Sequence, residues 1–305
     1  MHPYDVAIIG GGPAGLAAGI YAARAALQTI LLEKGMPGGL AASTELIENY
    51  PGFTDGVSGP ELMMQMYAQA TRFGLKVLSS NVESIIPDNG LFKLKTDDDE
   101  IKTKTVILAT GAQPRTIGVP GENEFHGRGV SYCATCDGAF FKDKAVAVIG
   151  GGDAAVEEAL YLTKFARRVH VIHRRDELRA AKILQRRAMD NPKINFQWSR
   201  VVKSITGDQT VEKVLLKNVK NGATQNLDVD GVFVYVGTRP VSELVSGLID
   251  IDSNGYIITD EEMRTSIPGL FAAGDIRQKL LRQVVTAVAD GAIAAVSAEK
   301  HIDNL

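Results

Sequence analysis

The chain has 305 residues, 45% of them hydrophobic and 23% charged, the balance of a globular protein with a sizeable core, and its length predicts about two domains. A net charge of −3 gives no reason to expect nucleic acid or an anionic membrane as partner, and no apolar run reaches the roughly 18 residues of a membrane span, the late stretch 284–298 being broken by Asp290. The start, Met1-His2-Pro3-Tyr4-Asp5, shows no signal-peptide pattern, and two cysteines are too few for a secreted disulfide scaffold, so a cytoplasmic location is expected.

Residues 6–9 read as a short apolar strand running into Gly10-Gly11-Gly12-Pro13-Ala14-Gly15. A small-residue helix over 14–26 follows, then a second strand over 29–32 ending at Glu33. This is the strand, turn, helix, strand order of a dinucleotide cradle. Its glycines let the backbone approach a pyrophosphate, and the helix offers free N–H groups and the positive end of its dipole. A carboxylate at Glu33 accepts hydrogen bonds from ribose hydroxyls and repels a 2′-phosphate, so this site fits FAD or NAD. Residues 82–104 then read as turn-punctuated alternating strands, with Asp97-Asp98-Asp99-Glu100 as a solvated hairpin turn. An apolar strand over 106–111 ends in Gly111 and is followed by Pro114-Arg115.

Cys133 and Cys136 come next, spaced i, i+3. At the start of a helix both face one side, within reach of a disulfide. The closed loop is tiny, so the bond adds little chain-entropy stabilisation and suits redox cycling more than stapling. The alternatives are a zinc site, for which His126 is the only histidine nearby in sequence, and a thioredoxin-type CxxC. No metal is expected. Asp137 is a candidate proton donor and acceptor or a helix-capping aspartate. Of Phe140 and Phe141, one is expected in the core and one exposed to a protein substrate.

Residues 145–149, 154–165 and 169–172 repeat the first unit around Gly150-Gly151-Gly152-Asp153-Ala154-Ala155. Gly10 to Glu33 is 23 positions, and so is Gly150 to His173, which marks an internal duplication. His173 replaces the acid, with Arg174, Arg175 and Arg179 beside it. Guanidinium groups bind phosphate bidentately and stay charged, so this site fits NADPH. Arg186 and Arg187 read instead as a solvated face or a docking surface. A second set of alternating strands over 201–229, an apolar strand over 232–237 and Arg239-Pro240 complete the repeat. Residues 241–305 hold Phe271-Ala272-Ala273-Gly274-Asp275 and a helix from about Gln283. They are too few for a third nucleotide domain, so they return to the first. The expected organisation is 1–113 and 241–305 for FAD, and 114–240 for NADPH and the CxxC. The fold class is α/β: two Rossmann-like three-layer nucleotide-binding domains, each with an inserted antiparallel β-meander.

Taken together, Gly10 to Gly15, Cys133-Ala134-Thr135-Cys136-Asp137-Gly138, Gly150 to Ala155, His173-Arg174-Arg175 with Arg179, and Phe271 to Asp275 with Arg282-Gln283 resemble the low-molecular-weight bacterial thioredoxin reductases over essentially the whole chain. The resemblance implies a homodimer with FAD and NADPH as cofactors and thioredoxin or a thioredoxin-like protein as partner, without nucleic acid or membrane. It implies that Gly10, Gly12, Pro13, Ala14 and Gly15 hold FAD, with Glu33 on the adenosine ribose and Gly38, Gly39, Asn49 and Gly111 near the flavin. Gly274 and Asp275 would take the ribityl–pyrophosphate arm, and Arg282, Gln283 and Val284 the pyrimidine end. Gly150, Gly152, Asp153, Ala154, Ala155, His173, Arg174, Arg175 and Arg179 would take NADPH. Cys136 would face the flavin, Cys133 attack the substrate disulfide, and Asp137 serve as acid/base. The family often has Gly-Gly-Gln where this chain has Gly38-Gly39-Leu40.

The expected electron path runs from NADPH to FAD, to the Cys133–Cys136 disulfide, to thioredoxin. The dithiol and the NADPH fingerprint share one segment and must both visit one flavin, so a rotation of that domain is expected. The alternative is a related flavin-dependent oxidoreductase acting on another thioredoxin-like protein or a small-molecule dithiol.

Overall fold

The computed structural model describes residues 3–305. The chain forms two compact units, Met1–Gln113 with Arg239–Leu305, and Pro114–Thr238. In the first unit β1 (Tyr4–Ile9), α1 (Pro13–Arg24) and β2 (Thr29–Glu33) form the opening repeat. They are followed by α2 (Gly59–Arg72), β3 (Lys76–Ser79), β4 (Val82–Asp88), β5 (Leu91–Thr96) and β6 (Glu100–Leu108). β1 pairs in parallel with β2 and β6, and β2 with β3. β6 joins two kinds of sheet. Its first half is antiparallel to β5, with Glu100 opposite Lys95 and Thr103 opposite Phe92. Its second half runs parallel to β1, with Leu108 opposite Ile9. The sequence changes character at the same place: residues 100–104 mix exposed and covered positions, whereas Val106-Ile107-Leu108 is buried on both faces.

β7 (Ala112–Pro114) leads into the second unit. There β8 (Val130–Ser131), α3 (Ala134–Asp137), β9 (Ala145–Gly150), α4 (Asp153–Leu162), β10 (Arg168–Ile172), α5 (Lys182–Met189) and β11 (Ile194–Gln197) follow in order. β12 (Arg200–Gly207), β13 (Val211–Asn218) and β14 (Thr224–Asp228) form a separate antiparallel sheet before β15 (Gly231–Tyr235). The parallel sheet is ordered β11-β10-β9-β15-β8. Its core is Val146, Val148, Val169, Val171 and Phe233 under α4, each with no accessible surface. Phe141 packs edge-on against Phe233 at 5.3 Å, while Phe140 is 75% exposed, so the pair divides into one core and one surface ring.

β16 (Thr238–Pro240) returns the chain, and β17 (Leu270–Ala272) and α6 (Val284–Asp303) complete the first unit. β17 lies parallel to β6, with Phe271 opposite Ile107. α6 crosses α1 so closely that a Cβ on Gly291 would stand 2.1 Å from the Ala14 carbonyl oxygen. The second crossing falls at Thr238, two residues before the boundary expected at 240. Val241 donates its N–H to the Gly111 carbonyl and accepts from Thr110 Oγ1, which ties this stretch to the first unit. The apolar strands expected over 106–111 and 232–237 stop at Leu108 and Tyr235. The helix expected over 154–165 stops at Leu162, where Lys193 Nζ captures the Thr163 carbonyl at 2.7 Å. α2, α5, β3 and β11 have no counterpart in the sequence reading.

Candidate active site

In the first unit the Gly10–Gly15 turn is closed by backbone contact. A Cβ on Gly15 would stand 1.9 Å from the Gly10 carbonyl oxygen, and one on Gly10 would stand 2.3 Å from that of Ala109. Gly12 caps α1 without a side-chain hydrogen bond, and Pro13 sits in the first turn, so the helix offers open N–H groups. Ala14 is buried beneath the turn. Glu33 stands at the mouth: Oε2 accepts from Gly11 N at 2.8 Å and Oε1 from Gly35 N at 2.9 Å. A carboxylate with about four lone-pair sites retains acceptor capacity for a ligand. Gly38 donates its N–H to the Gly11 carbonyl, and Gly39 lies against Gly12. Leu40 is 45% exposed and offers no side-chain hydrogen bond.

The loop after β17 brings further polar groups to this unit. Asn49 Nδ2 donates to Gln283 Oε1 at 3.0 Å, so two residues 234 positions apart meet. Gln283 caps α6 in a reciprocal box with Thr286, and Val284 opens the helix. Arg282 lies over the Tyr256 ring at 3.8 Å. Asp275 Oδ1 and Arg282 Nε are buried without a hydrogen-bond partner among the described residues. Burial pushes the Asp275 carboxyl above its ordinary range, against the pull of Lys279 and Arg282. A buried acceptor and a buried donor left unpaired are costly. Together with the open helix end and Glu33, they fit a ligand with ribose hydroxyls, a pyrophosphate and a polar ring, as FAD has.

In the second unit a Cβ on Gly150 would stand 2.3 Å from the Tyr235 carbonyl oxygen, and one on Gly152 would meet nothing within 4 Å. Gly152 caps α4 without a side-chain bond. Asp153 Oδ1 accepts from Ala181 N at 2.7 Å, and Arg179 N donates to the Gly151 carbonyl at 2.7 Å. These two bonds fold the 174–181 loop over the glycine turn. Ala155 is buried and Ala154 exposed. His173 lies beneath, 5% exposed. Burial, and then Arg179, Arg175 and Arg174, push its pKa down, so it is a neutral floor. Arg174, Arg175 and Arg179 are exposed above it. An uncapped helix end, open space over Gly152 and three exposed guanidiniums fit a phosphorylated dinucleotide such as NADPH.

Cys133 and Cys136 form a disulfide, with Cα atoms 5.3 Å apart. Cys133 caps α3: its Sγ accepts from Cys136 N at 3.2 Å and lies 3.3 Å from Thr135 Oγ1. Both donors are aimed at the Cys133 sulfur. Ser131 holds both ends of the motif. Its Oγ accepts from Cys133 N at 3.0 Å and lies 2.6 Å from Asp137 Oδ2. Ala134 N donates to the Tyr235 hydroxyl at 2.8 Å. Burial, then Glu158 and Asp137, push that phenol well above its ordinary range, so it keeps a proton to donate. Ser131 and Tyr235 were missed in the sequence. Ser131 lies only two residues before Cys133, but Tyr235 lies 101 residues from Ala134, and only the fold brings it there.

The two cradles and the disulfide have counterparts. The pyridine nucleotide-disulphide oxidoreductase family matches residues 4–291. The thioredoxin reductase of Peptoclostridium acidaminophilum is 50% identical over 98% of this chain and 97% of its own. That of Bacillus subtilis (strain 168) is 48% identical over 99% of this chain and 95% of its own. The crystal structure of Lactococcus lactis thioredoxin reductase is 51% identical, covers 99% of this chain and 100% of that one, and gives a TM-score of 0.97. With one open glycine cradle in each unit and a redox disulfide beside the second, the chain belongs to the bacterial-type thioredoxin reductases, flavoprotein oxidoreductases that use FAD and NADPH.

Proposed function

We propose that the two cradles take different nucleotides and that electrons leave through Cys133 and Cys136 to thioredoxin. In this reading Gly10, Gly12, Pro13, Ala14 and Gly15 hold the FAD pyrophosphate and Glu33 the adenosine ribose. Gly38, Gly39, Asn49 and Gly111 border the flavin, Gly274 and Asp275 take the ribityl–pyrophosphate arm, and Arg282, Gln283 and Val284 the pyrimidine end. Gly150, Gly152, Asp153, Ala154 and Ala155 hold the NADPH pyrophosphate, with His173, Arg174, Arg175 and Arg179 around the 2′-phosphate. Bound FAD supplies a two-electron carrier between nicotinamide and sulfur.

The Cys133 thiolate attacks the thioredoxin disulfide and forms a mixed disulfide. Cys136 then attacks Cys133 Sγ, re-forms the internal disulfide and releases the thioredoxin dithiol. Asp137, oriented by Ser131, moves the proton that accompanies thiol and thiolate exchange. The exposed Phe140 ring supports a protein substrate, since it offers an apolar contact near the cysteines. Exposed Tyr21, Met64, Ile293 and Val296 on α1, α2 and α6 support a homodimer. A chain whose only cysteines form the redox pair supports a cytoplasmic setting.

One observation carries the reading: the disulfide and the arginine-flanked cradle lie in Pro114–Thr238, while the Glu33 cradle lies in the other unit. Nicotinamide and sulfur must therefore take turns at one flavin, by rotation of the second unit about the two crossings. A cross-link joining the units should leave a single half-reaction and abolish multiple turnover. Full-rate cycling by the locked protein would overturn the rotation.

A further inference from the structure

α6 carries one acidic side chain on its buried face, Asp290, which is 6% exposed. A carboxylate in such a place needs several donors to be tolerated. All of its donors come from a single loop. Oδ2 accepts from Gly274 N at 3.0 Å and from Lys279 Nζ at 2.9 Å, and Oδ1 accepts from Arg277 Nη1 at 3.0 Å. These partners span residues 274–279, the loop that carries Asp275 and leads to Arg282. Gly274 itself is left-handed, with φ +83°, and a Cβ there would stand 2.8 Å from that of Ala14. One carboxylate therefore pins the loop to α6 at three points, directly over the first turn of α1.

The ties continue outward. Arg277 Nε donates to Thr259 Oγ1 at 2.8 Å. Lys279 Nζ lies 3.8 Å from the otherwise unpaired Asp275 Oδ1 and 3.4 Å from Thr286 Oγ1, part of the box around Gln283. Gln283 in turn holds Asn49. Without Asp290, Arg277 and Lys279 would be cations with side chains 11% and 10% exposed and no buried anion between them. Lys279 would then compete for Asp275, the group left open for a ligand.

We propose that Asp290 is a positioning residue for the flavin site: by clamping Gly274, Arg277 and Lys279 it holds Asp275 and Arg282 in the arrangement that receives FAD. The proposal rests on the assignment of the first cradle to FAD. Its test is the FAD dissociation constant of the folded apoprotein, read by quenching of flavin fluorescence well below the melting temperature. Asp290→Asn should weaken FAD at least tenfold. Lys279→Met keeps the Arg277–Asp290 pair should Asp290→Asn fail to fold, and it should weaken FAD about fivefold by the same route. Glu33→Gln reports on the assignment itself. If Glu33→Gln weakens FAD while either folded loop variant binds within twofold of the unaltered protein, the role of Asp290 is overturned and the assignment stands. If Glu33→Gln leaves FAD binding unchanged, the assignment falls and the proposal with it.

Discussion

Gly152→Ala separates nucleotide binding from folding. Gly152 has φ −93° and ψ −176°, a conformation open to any residue, and an added Cβ meets nothing within 4 Å. The folding cost reduces to the preference for glycine over alanine at a helix N-cap, about 0.5–1 kcal/mol, or about 1–4 °C of melting temperature. Neighbouring positions lack this freedom, since a Cβ on Gly151 would stand 2.5 Å from the buried His173 ring. In the bound state the methyl would occupy the space through which a pyrophosphate reaches the N–H groups of α4. Losing one hydrogen bond to a charged group costs about 1.5–3 kcal/mol, a loss of affinity of about 10–150-fold. The assay is NADPH titration together with the steady-state KM for NADPH, with the melting temperature as control. Gly12→Ala is the companion, since its Cβ would come no nearer than 3.9 Å to Gly39, and it should lose FAD instead. If Gly152→Ala bound NADPH within twofold of the unaltered protein, the second cradle would not be the NADPH site.

Cys136→Ser should keep flavin reduction by NADPH in stopped flow and lose thioredoxin reduction; retained turnover with thioredoxin would refute the dithiol step. Arg175→Ala should raise the NADPH KM about tenfold or more, by loss of a charged hydrogen bond, and leave the NADH KM unchanged. An equal rise for both nucleotides would place Arg175 away from the 2′-phosphate. Burial lowers the pKa of His170 and His173, so the unfolded chain holds more protons below its ordinary value of about 6.5. Their stabilisation is full above about pH 6.5 and is lost as pH falls through the lowered folded values. Thermal melts should show this decline in the second unit, and the His170→Gln/His173→Gln double variant should flatten it. An unchanged slope would exclude these histidines.

Both cradles were legible because each is local. The glycines, the following helix and the residue 23 positions on all lie within one short repeat, so spacing alone locates them. The Cys133–Cys136 disulfide was legible for the same reason. α2 has a start signal in its sequence: Ser58 accepts from Glu61 N in the Ser58-Gly59-Pro60-Glu61 start, ahead of buried Leu62, Met63 and Met66. Tyr235 at Ala134 and the Asn49–Gln283 contact carried none, since each joins positions more than 100 residues apart through the sheet order. Asp290 is the sharpest contrast. Along the chain it only interrupts an apolar stretch, and its three partners become visible once α6 lies beside the loop that precedes it.

The split of the first unit orders events during synthesis. The segment Pro114–Thr238 leaves the ribosome complete, with its own sheet and disulfide motif, while β1, α1 and β6 still lack β17 and α6. At about 5–20 residues per second, residues 239–305 take about 3–13 s more to arrive. Until they do, the floor of the first cradle has no cover over Ala14, and Asp275 and Arg282 do not yet exist. The unit that carries the cysteine pair is thus complete in the nascent chain before the first cradle has β17 and α6.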